Sequence, residues 1–290
     1  MDWLKARARI AVDQAEIPIR KLPGYDPAPP GTSYEEAADL IMRFLSNDRG
    51  QALIPLLKRA VRLWPCAHSG DPFVSCLGGL PVLPAGYAWP DFDGEPLLFL
   101  GQINFAELFA AIGNTPFPKR GLIQFYGDHD EVMGCGPVGF SAVFYFPDAD
   151  ALQPASAPID DFLQLPRCGL NFFETIELPD PKSHRIAKLS FATDEAEAYR
   201  HLWLRLAMSA SHGRTYDRES KLLGWPNLIQ RDVGEDFGRC GQQLLVQMGW
   251  WHDGVEHHCW GPGGLVYFIL NEEAIAEARF EEAVMEMQCT

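Results

Sequence analysis

Ser75-Cys76-Leu77-Gly78-Gly79-Leu80-Pro81 and Ser220-Lys221-Leu222-Leu223-Gly224-Trp225-Pro226 spell one phrase, S-x-L-x-G-x-P, twice, 145 residues apart. Twenty-one residues beyond each proline a glutamine stands in an apolar run: Gln102 within Leu97–Ile103, and Gln247 within Leu244–Met248. A third phrase follows each, Gly121-Leu122-Ile123-Gln124-Phe125 and then Gly264-Leu265-Val266-Tyr267-Phe268. Three elements in one order, two of them at the same offset, predict a tandem duplication of a strand-rich unit.

Working outward, Leu97–Ile103, Gly121–Tyr126 and Ser141–Phe146 read as buried or alternating strands. Phe162–Leu178 reads as strand-like, and Val284–Cys289 as a terminal strand. Helices fall outside the repeats. Thr32-x-x-Glu35 is a capping-box pattern ahead of an apolar stripe of Ala37, Leu40, Ile41, Phe44 and Leu45. A second helical stretch covers Gln51–Lys58. Thr193, followed by Asp194, Glu195 and Glu197, opens a helix in the middle connector. The predicted fold is mainly β, or α+β: internally duplicated β units packed together, with peripheral helices at the N-terminus and in the connector. Residues 1–60 form a helical region and linker, 61–147 the first β unit, 148–219 the connector and 220–290 the second unit, with 61–290 as one compact domain.

Composition narrows the function classes. The 290 residues are 47% hydrophobic and 22% charged, an ordinary globular balance. Lys and Arg number 24 against 39 Asp and Glu, a net charge of −15, and no basic cluster offers a track for phosphates. Nucleic acid is therefore not an expected partner; a basic protein is. No apolar run reaches the length of a membrane span, so no membrane partner is expected. Seven cysteines without a C-x-x-C pair predict reduced thiols in the cytoplasm.

The motifs in combination resemble the YwqG-like family of bacterial proteins of unknown function. The resemblance rests on Gly78-Gly79-Leu80-Pro81-x-Leu83-Pro84, Trp89-Pro90, Pro96-Leu97-x-x-Leu100-x-Gln102-Ile103 and Gly121–Phe125. It continues through Lys221–Pro226, Gln230, Leu244–Gln247 and Trp260-Gly261-x-x-Gly264-x-x-Tyr267-Phe268-Ile269, and so covers about Val61 to the C-terminus. It implies a mostly β, internally duplicated fold with peripheral helices, and a loose association with toxin–immunity loci. It implies no activity.

Candidate chemistry is sparse. Asp128-His129 follows a strand and could serve as a general base, although no G-x-S-x-G nucleophile motif accompanies it. His252, His257, His258 and Cys259 carry zinc-type donors, but in one predicted hairpin loop, where a closed four-ligand site would draw on two elements. No metal and no cofactor are expected. Gln102 and Gln247 place amides in apolar strands, where their donors and acceptors need partners. They either pin a loop in each repeat or face one shared cleft. Trp89, Trp225 and Trp260 gather near the Pro/Gly segments and suit a pocket, an interface or the end of a β core. The first functional expectation is a non-enzymatic protein-binding module of the toxin-immunity kind. The alternative is a hydrolase-type enzyme with a cleft between the two β units.

Overall fold

The computed structural model describes residues 33–67, 69–128, 141–159, 162–211, 220–234, 242–249, 251–252, 256–257, 260 and 264–289. Its helices are α1 (Tyr34–Phe44), α2 (Asn47–Leu53), α3 (Phe105–Ile112), α4 (His184–Ala187), α5 (Thr193–Ser211) and α6 (Glu272–Ala276). The early strands are β1 (Lys58–Cys66), β2 (Cys76–Leu77), β3 (Val82–Pro84), β4 (Asp91–Phe92), β5 (Glu95–Pro96), β6 (Leu98–Asn104), β7 (Leu122–Gly127) and β8 (Ser141–Phe146). The later ones are β9 (Leu152–Pro154), β10 (Cys168–Glu177), β11 (Lys221–Leu223), β12 (Gln243–Met248), β13 (Trp251–His252), β14 (Glu256–His257), β15 (Leu265–Leu270) and β16 (Val284–Gln288).

Ten strands form one antiparallel sheet in the order β16-β15-β12-β11-β1-β10-β2-β6-β7-β8. From the centre outward, each end is a meander of four: β2-β6-β7-β8 beside β10, and β11-β12-β15-β16 beside β1. The register matches as well as the order. Cys76 faces Gln102 and Lys221 faces Gln247; Gln102 faces Gln124 and Gln247 faces Tyr267. Each glutamine strand bulges just before its central pair, between Phe99 and Gly101 and between Leu244 and Val246. Ser75 Oγ accepts the Asn104 N–H at 2.8 Å, and Ser220 Oγ accepts the Gly249 N–H at 3.0 Å. The two serines and the two amides are each 145 residues apart. The repeated phrase thus occupies equivalent places at the two ends of the sheet.

The central pair is shared between the ends. β1 lies before the first phrase in sequence yet pairs with β11 as well as β10. β10 completes the β2 end. Each meander is therefore flanked by a strand from the other side of the sequence.

Strand alternation sorts side chains to two faces. One face carries Val61, Leu63, Leu77, Leu100, Phe125, Val246 and Phe268 into the main core. There Phe125 of β7 meets Phe268 of β15, ring centroids 5.1 Å apart, and each such buried side chain contributes about 1.5–3 kcal/mol. β8 and β16 approach each other beside a 3-10 turn, Phe280–Glu282, so the sheet curls nearly closed. A second core packs α1 and α5 against Ile176 and Leu178 through Ala37, Ile41, Tyr199 and Leu202. Helix α1 is capped one residue later than the sequence pattern predicts: Ser33 and Glu36 form the box, each side chain bonding the other's backbone N–H. The second predicted helix ends early, because Leu53 passes into a 3-10 turn at Ile54–Leu56 and β1 begins at Lys58. Among the described residues no helix is long and apolar enough to cross a membrane.

Candidate functional sites on the outer face

The outer face of each end is covered by the loop that follows its phrase, and the two loops are fastened differently. At the β2 end, Gln102 is fully buried and donates to the carbonyls of Pro72 at 2.8 Å and Val74 at 3.0 Å. Its Oε1 accepts from Gln124 at 3.3 Å, and Gln124 also donates to Val82 O at 2.7 Å. The Tyr126 hydroxyl completes the chain on Gln124 Oε1 at 2.8 Å. This neutral ladder ties down the segment just before the phrase, through Pro72 and Val74, and the start of the loop after it, through Val82. Further on, β3 pairs with β9 and β4 with β5, as two small ribbons.

The β3–β9 ribbon and the turn after β3 line a groove of about 280 Å3, near the lower end of the roughly 300–1,000 Å3 of ligand pockets. Its walls include Pro84, Tyr87, Trp89, Gln153, Pro154 and Pro158, and none of its lining residues is charged. Tyr87 is 43% exposed, with its ring set edge-on to Phe144 and Phe146 at 5.9 and 6.0 Å. Trp89 is held by its indole N–H on Leu97 O at 2.8 Å and by edge contacts with Tyr126 and Phe162. The chain next to these walls in sequence is acidic. Asp91, Asp93 and Glu95 are exposed on the hairpin just after Trp89, and Asp148 and Asp150 are exposed just before β9.

At the β11 end the ladder is charged. Lys221 is almost fully buried, and its Nζ reaches Glu177 Oε2 at 2.9 Å and Asn227 Oδ1 at 2.7 Å. Arg62 Nη2 lies 3.0 Å from Glu177 Oε1. Burial alone would push the Glu177 carboxyl up; the two cations and the Trp225 N–H outweigh it and hold the group below its ordinary value. Gln247 accepts the Asn227 N–H at 2.9 Å, and the Tyr267 hydroxyl donates to Asn227 O at 2.6 Å. Asp180 accepts the Leu228 N–H at 3.1 Å, and Gln288 Oε1 accepts those of Ile229 and Gln230. Glu286 accepts the Gly234 N–H at 2.6 Å. So many buried side chains grip this loop that the cleft beneath it is narrow, about 30 Å3, the share of one water in the liquid.

At that cleft stands a His–Asp pair that sequence reading did not find. Asp232 Oδ2 accepts the backbone N–H of His184 at 2.7 Å and lies 2.5 Å from its Nδ1. An imidazole held through Nδ1 can present Nε2 as an acceptor, the arrangement of a general base. Ser183, beside it, accepts the Ile186 N–H as the cap of α4. The two residues are 48 apart in sequence, and no motif joins them.

The residues singled out from sequence fall as follows. Gln102 and Gln247 lie in different halves of the sheet, Gln102 bonded to Pro72 and Val74 just before its phrase and Gln247 to Asn227 just after its own. Trp89 lines the groove and Trp225 the narrow cleft. Trp225 is clamped between Lys58 and Arg185, at 4.0 and 4.9 Å from its ring, with its indole N–H on Leu56 O. Trp260 is buried in the main core, with its N–H on Gly249 O at 3.0 Å. Asp128 is half-buried at the end of β7, while His129 lies outside the described residues. His252 and His257 belong to the β13–β14 hairpin, where the backbone register pairs Trp251 with His257 and His252 with Glu256. His258 and Cys259 also lie outside the described residues. Among the described residues no three His, Cys, Asp or Glu side chains gather as a metal-holding group.

A family model described as a domain of unknown function, DUF1963, matches residues 75–289, from the first serine of the repeated phrase to the end of the last strand. The chain belongs to the DUF1963 family. No curated protein is found to match it. The match takes in the meanders, both outer-face loops, the groove and the His184–Asp232 pair. The part of the chain before the match contributes β1, which the DUF1963 region uses to join its two ends.

Proposed function

We propose that this protein is a non-enzymatic binding module of the cytoplasm, akin to the YwqG-like proteins, whose partner is a basic polypeptide. The observation that carries the reading is the groove at the β2 end. It combines an exposed tyrosine, a fixed tryptophan and uncharged walls, and the chain leading from Trp89 and into β9 carries exposed carboxylates. An apolar centre with a charged rim is the common anatomy of protein recognition sites. The net charge of −15 adds a long-range field that favours cationic partners. Cys66, Cys76, Cys168 and Cys289 are free thiols, in keeping with a reducing compartment.

The test is a panel of synthetic peptides graded in charge, titrated against the wild type and against Tyr87→Ala. Basic peptides should bind the wild type, more weakly as salt rises, and the variant should lose them. Binding indifferent to peptide charge, or unaffected by the variant, would refute the proposal.

The hydrolase reading keeps one specific support, the His184–Asp232 pair at the narrow cleft. It requires the loop over Asp232 to open, because the cleft as it stands has room for about one water. Loss of a hydrolytic activity in His184→Ala, with no change in peptide binding, would favour it.

A further inference from the structure

We infer that the occupant of the groove is a proline-containing segment bearing Lys or Arg, lying in the extended polyproline conformation; this rests on the binding reading above. Two features of the walls select that conformation. The first is a shortage of backbone donors. Pro84, Pro154 and Pro158 have no N–H, the Tyr87 N–H is bonded to Pro84 O, and the Ala155 N–H is bonded to Pro81 O. Five of the ten lining residues therefore offer no amide to an incoming chain. A segment adding as a β-strand draws its affinity from main-chain bonds in register, and this wall cannot supply them. A polyproline segment has no such need, since its backbone carries no internal ladder and stays solvated on the open side.

The second feature is the shape and chemistry of the contact. Tyr87 projects from the loop beside Gly86, where even an added Cβ would meet nothing within 4 Å. Its exposed ring and Trp89 give the groove an aromatic lining, of the kind that receives proline-rich segments. Proline is rigid in this conformation before it binds, so ordering it costs little. The basic residues follow from the flanks. Asp91, Asp93 and Glu95 stand on one side in sequence and Asp148 and Asp150 on the other, with no lysine or arginine among the lining residues. Lys or Arg beside the prolines complements these exposed carboxylates, in pairs that give orientation and speed of association more than affinity.

The experiment uses the whole chain and two synthetic peptides of about twelve residues, each with about four Lys or Arg. One carries two prolines separated by two residues, and the other has alanine in their place. Binding is followed by the change in tryptophan fluorescence, with Tyr87→Ala and the pair Asp91→Asn/Asp93→Asn as variants. Retained melting midpoints show that both variants fold. The inference expects the proline peptide to bind at least about tenfold more tightly, a difference of about 1.4 kcal/mol. It expects Tyr87→Ala to abolish that preference, and Asp91→Asn/Asp93→Asn to weaken both peptides alike. Equal binding of the two peptides, lost in Tyr87→Ala, would overturn the polyproline inference and leave the groove as a site for basic chains. Binding of neither peptide, or binding unchanged in Tyr87→Ala, would overturn both.

Discussion

Cys76 and Lys221 stand at the same place in the two ends of one sheet, and the rows they begin share a glutamine at the second position and differ at the other three. Across the strands one row reads Cys76, Gln102, Gln124, Phe144. The other reads Lys221, Gln247, Tyr267, Glu286. The backbone frame is alike in strand order, register and bulge. The difference teaches that the repeated phrase specifies the frame, while the outer-face row decides how the following loop is fastened. Where the row is neutral, the loop spreads into ribbons and leaves a groove. Where it is charged, the loop is drawn down onto the sheet and the space closes to about one water.

The sharpest way to break this comparison is to remove the cation. Lys221→Ala leaves the fully buried Glu177 facing Arg62 alone, and loss of one partner from a buried ion pair costs about 3–5 kcal/mol. Cys76→Ala at the equivalent place removes only a thiol that donates to Gly78 O at a long 3.6 Å, and should cost about 1 kcal/mol. Denaturant midpoints of the two variants measure the contrast. The double variant Lys221→Ala/Glu177→Gln should depart from the sum of its parts, because the two side chains share one buried bond and each single variant already removes it. Equal losses for Lys221→Ala and Cys76→Ala would show that the charged row carries no special energy.

Acid sharpens the same point. Glu177 has a folded-state pKa below its ordinary 4.5. A depressed carboxyl contributes stability that is present above the unfolded value and lost as pH falls through the folded one. The wild type should therefore lose stability as pH drops below about 4.5, and Glu177→Gln should lack that component. Asp180 works in the opposite sense. Burial raises its pKa, so protonation favours the folded state and offsets part of the loss. Unfolding followed between neutral and acid pH for the wild type, Glu177→Gln and Asp180→Asn separates the two. A Glu177→Gln curve parallel to that of the wild type would refute the assignment.

The glutamines come next in size. Gln102→Leu strips two backbone carbonyls and Gln124 of their partner; Gln247→Leu strips the Asn227 N–H. Each leaves buried polar groups unpaired, at about 1–3 kcal/mol. Melting midpoints should fall for both. An unchanged midpoint for Gln102→Leu would mean that its amide is free for a ligand, contrary to its bonds with Pro72 and Val74.

Much of the frame was legible in the sequence because strands and turns report locally. The apolar runs at Leu97–Ile103, Gly121–Tyr126 and Ser141–Phe146 are β6, β7 and β8 to within a residue. The swap of β1 to the far end was not legible, since pairing across more than 150 residues leaves no local trace. The buried ion pair was half visible: Lys221 sits in an apolar strand where the first phrase has Cys76, but nothing near it points to Glu177, 44 residues away. The groove was half visible: Trp89 beside the Pro/Gly segments suited a pocket, but the second wall comes from a separate loop whose prolines read only as breaks. His184 and Asp232 escaped for the same reason. Neither has a motif around it, and only the folded loop brings them together.

The smallest expected effect concerns the turn itself. Gly78 and Leu223 occupy equivalent positions and share a left-handed backbone, φ +63° and +59°. Gly78 has no room for a side chain, because a Cβ there would lie 2.2 Å from Pro166 O. Leu223 has room, and packs half-buried against the main core. Its conformation costs roughly 1–2 kcal/mol for a residue with a Cβ. Leu223→Gly removes that strain, gives up part of the roughly 1.5–3 kcal/mol of a buried leucine, and adds about 0.5–1 kcal/mol of chain entropy to the unfolded state. These terms nearly cancel, so the variant should lose no more than about 1 kcal/mol. Gly78→Ala adds a backbone clash to the strain and should lose clearly more in the same unfolding assay. If Leu223→Gly proves the more costly of the two, the left-handed turn is held by its side chain at the β11 end and not by its backbone. The two phrases would then share a shape without sharing a reason for it.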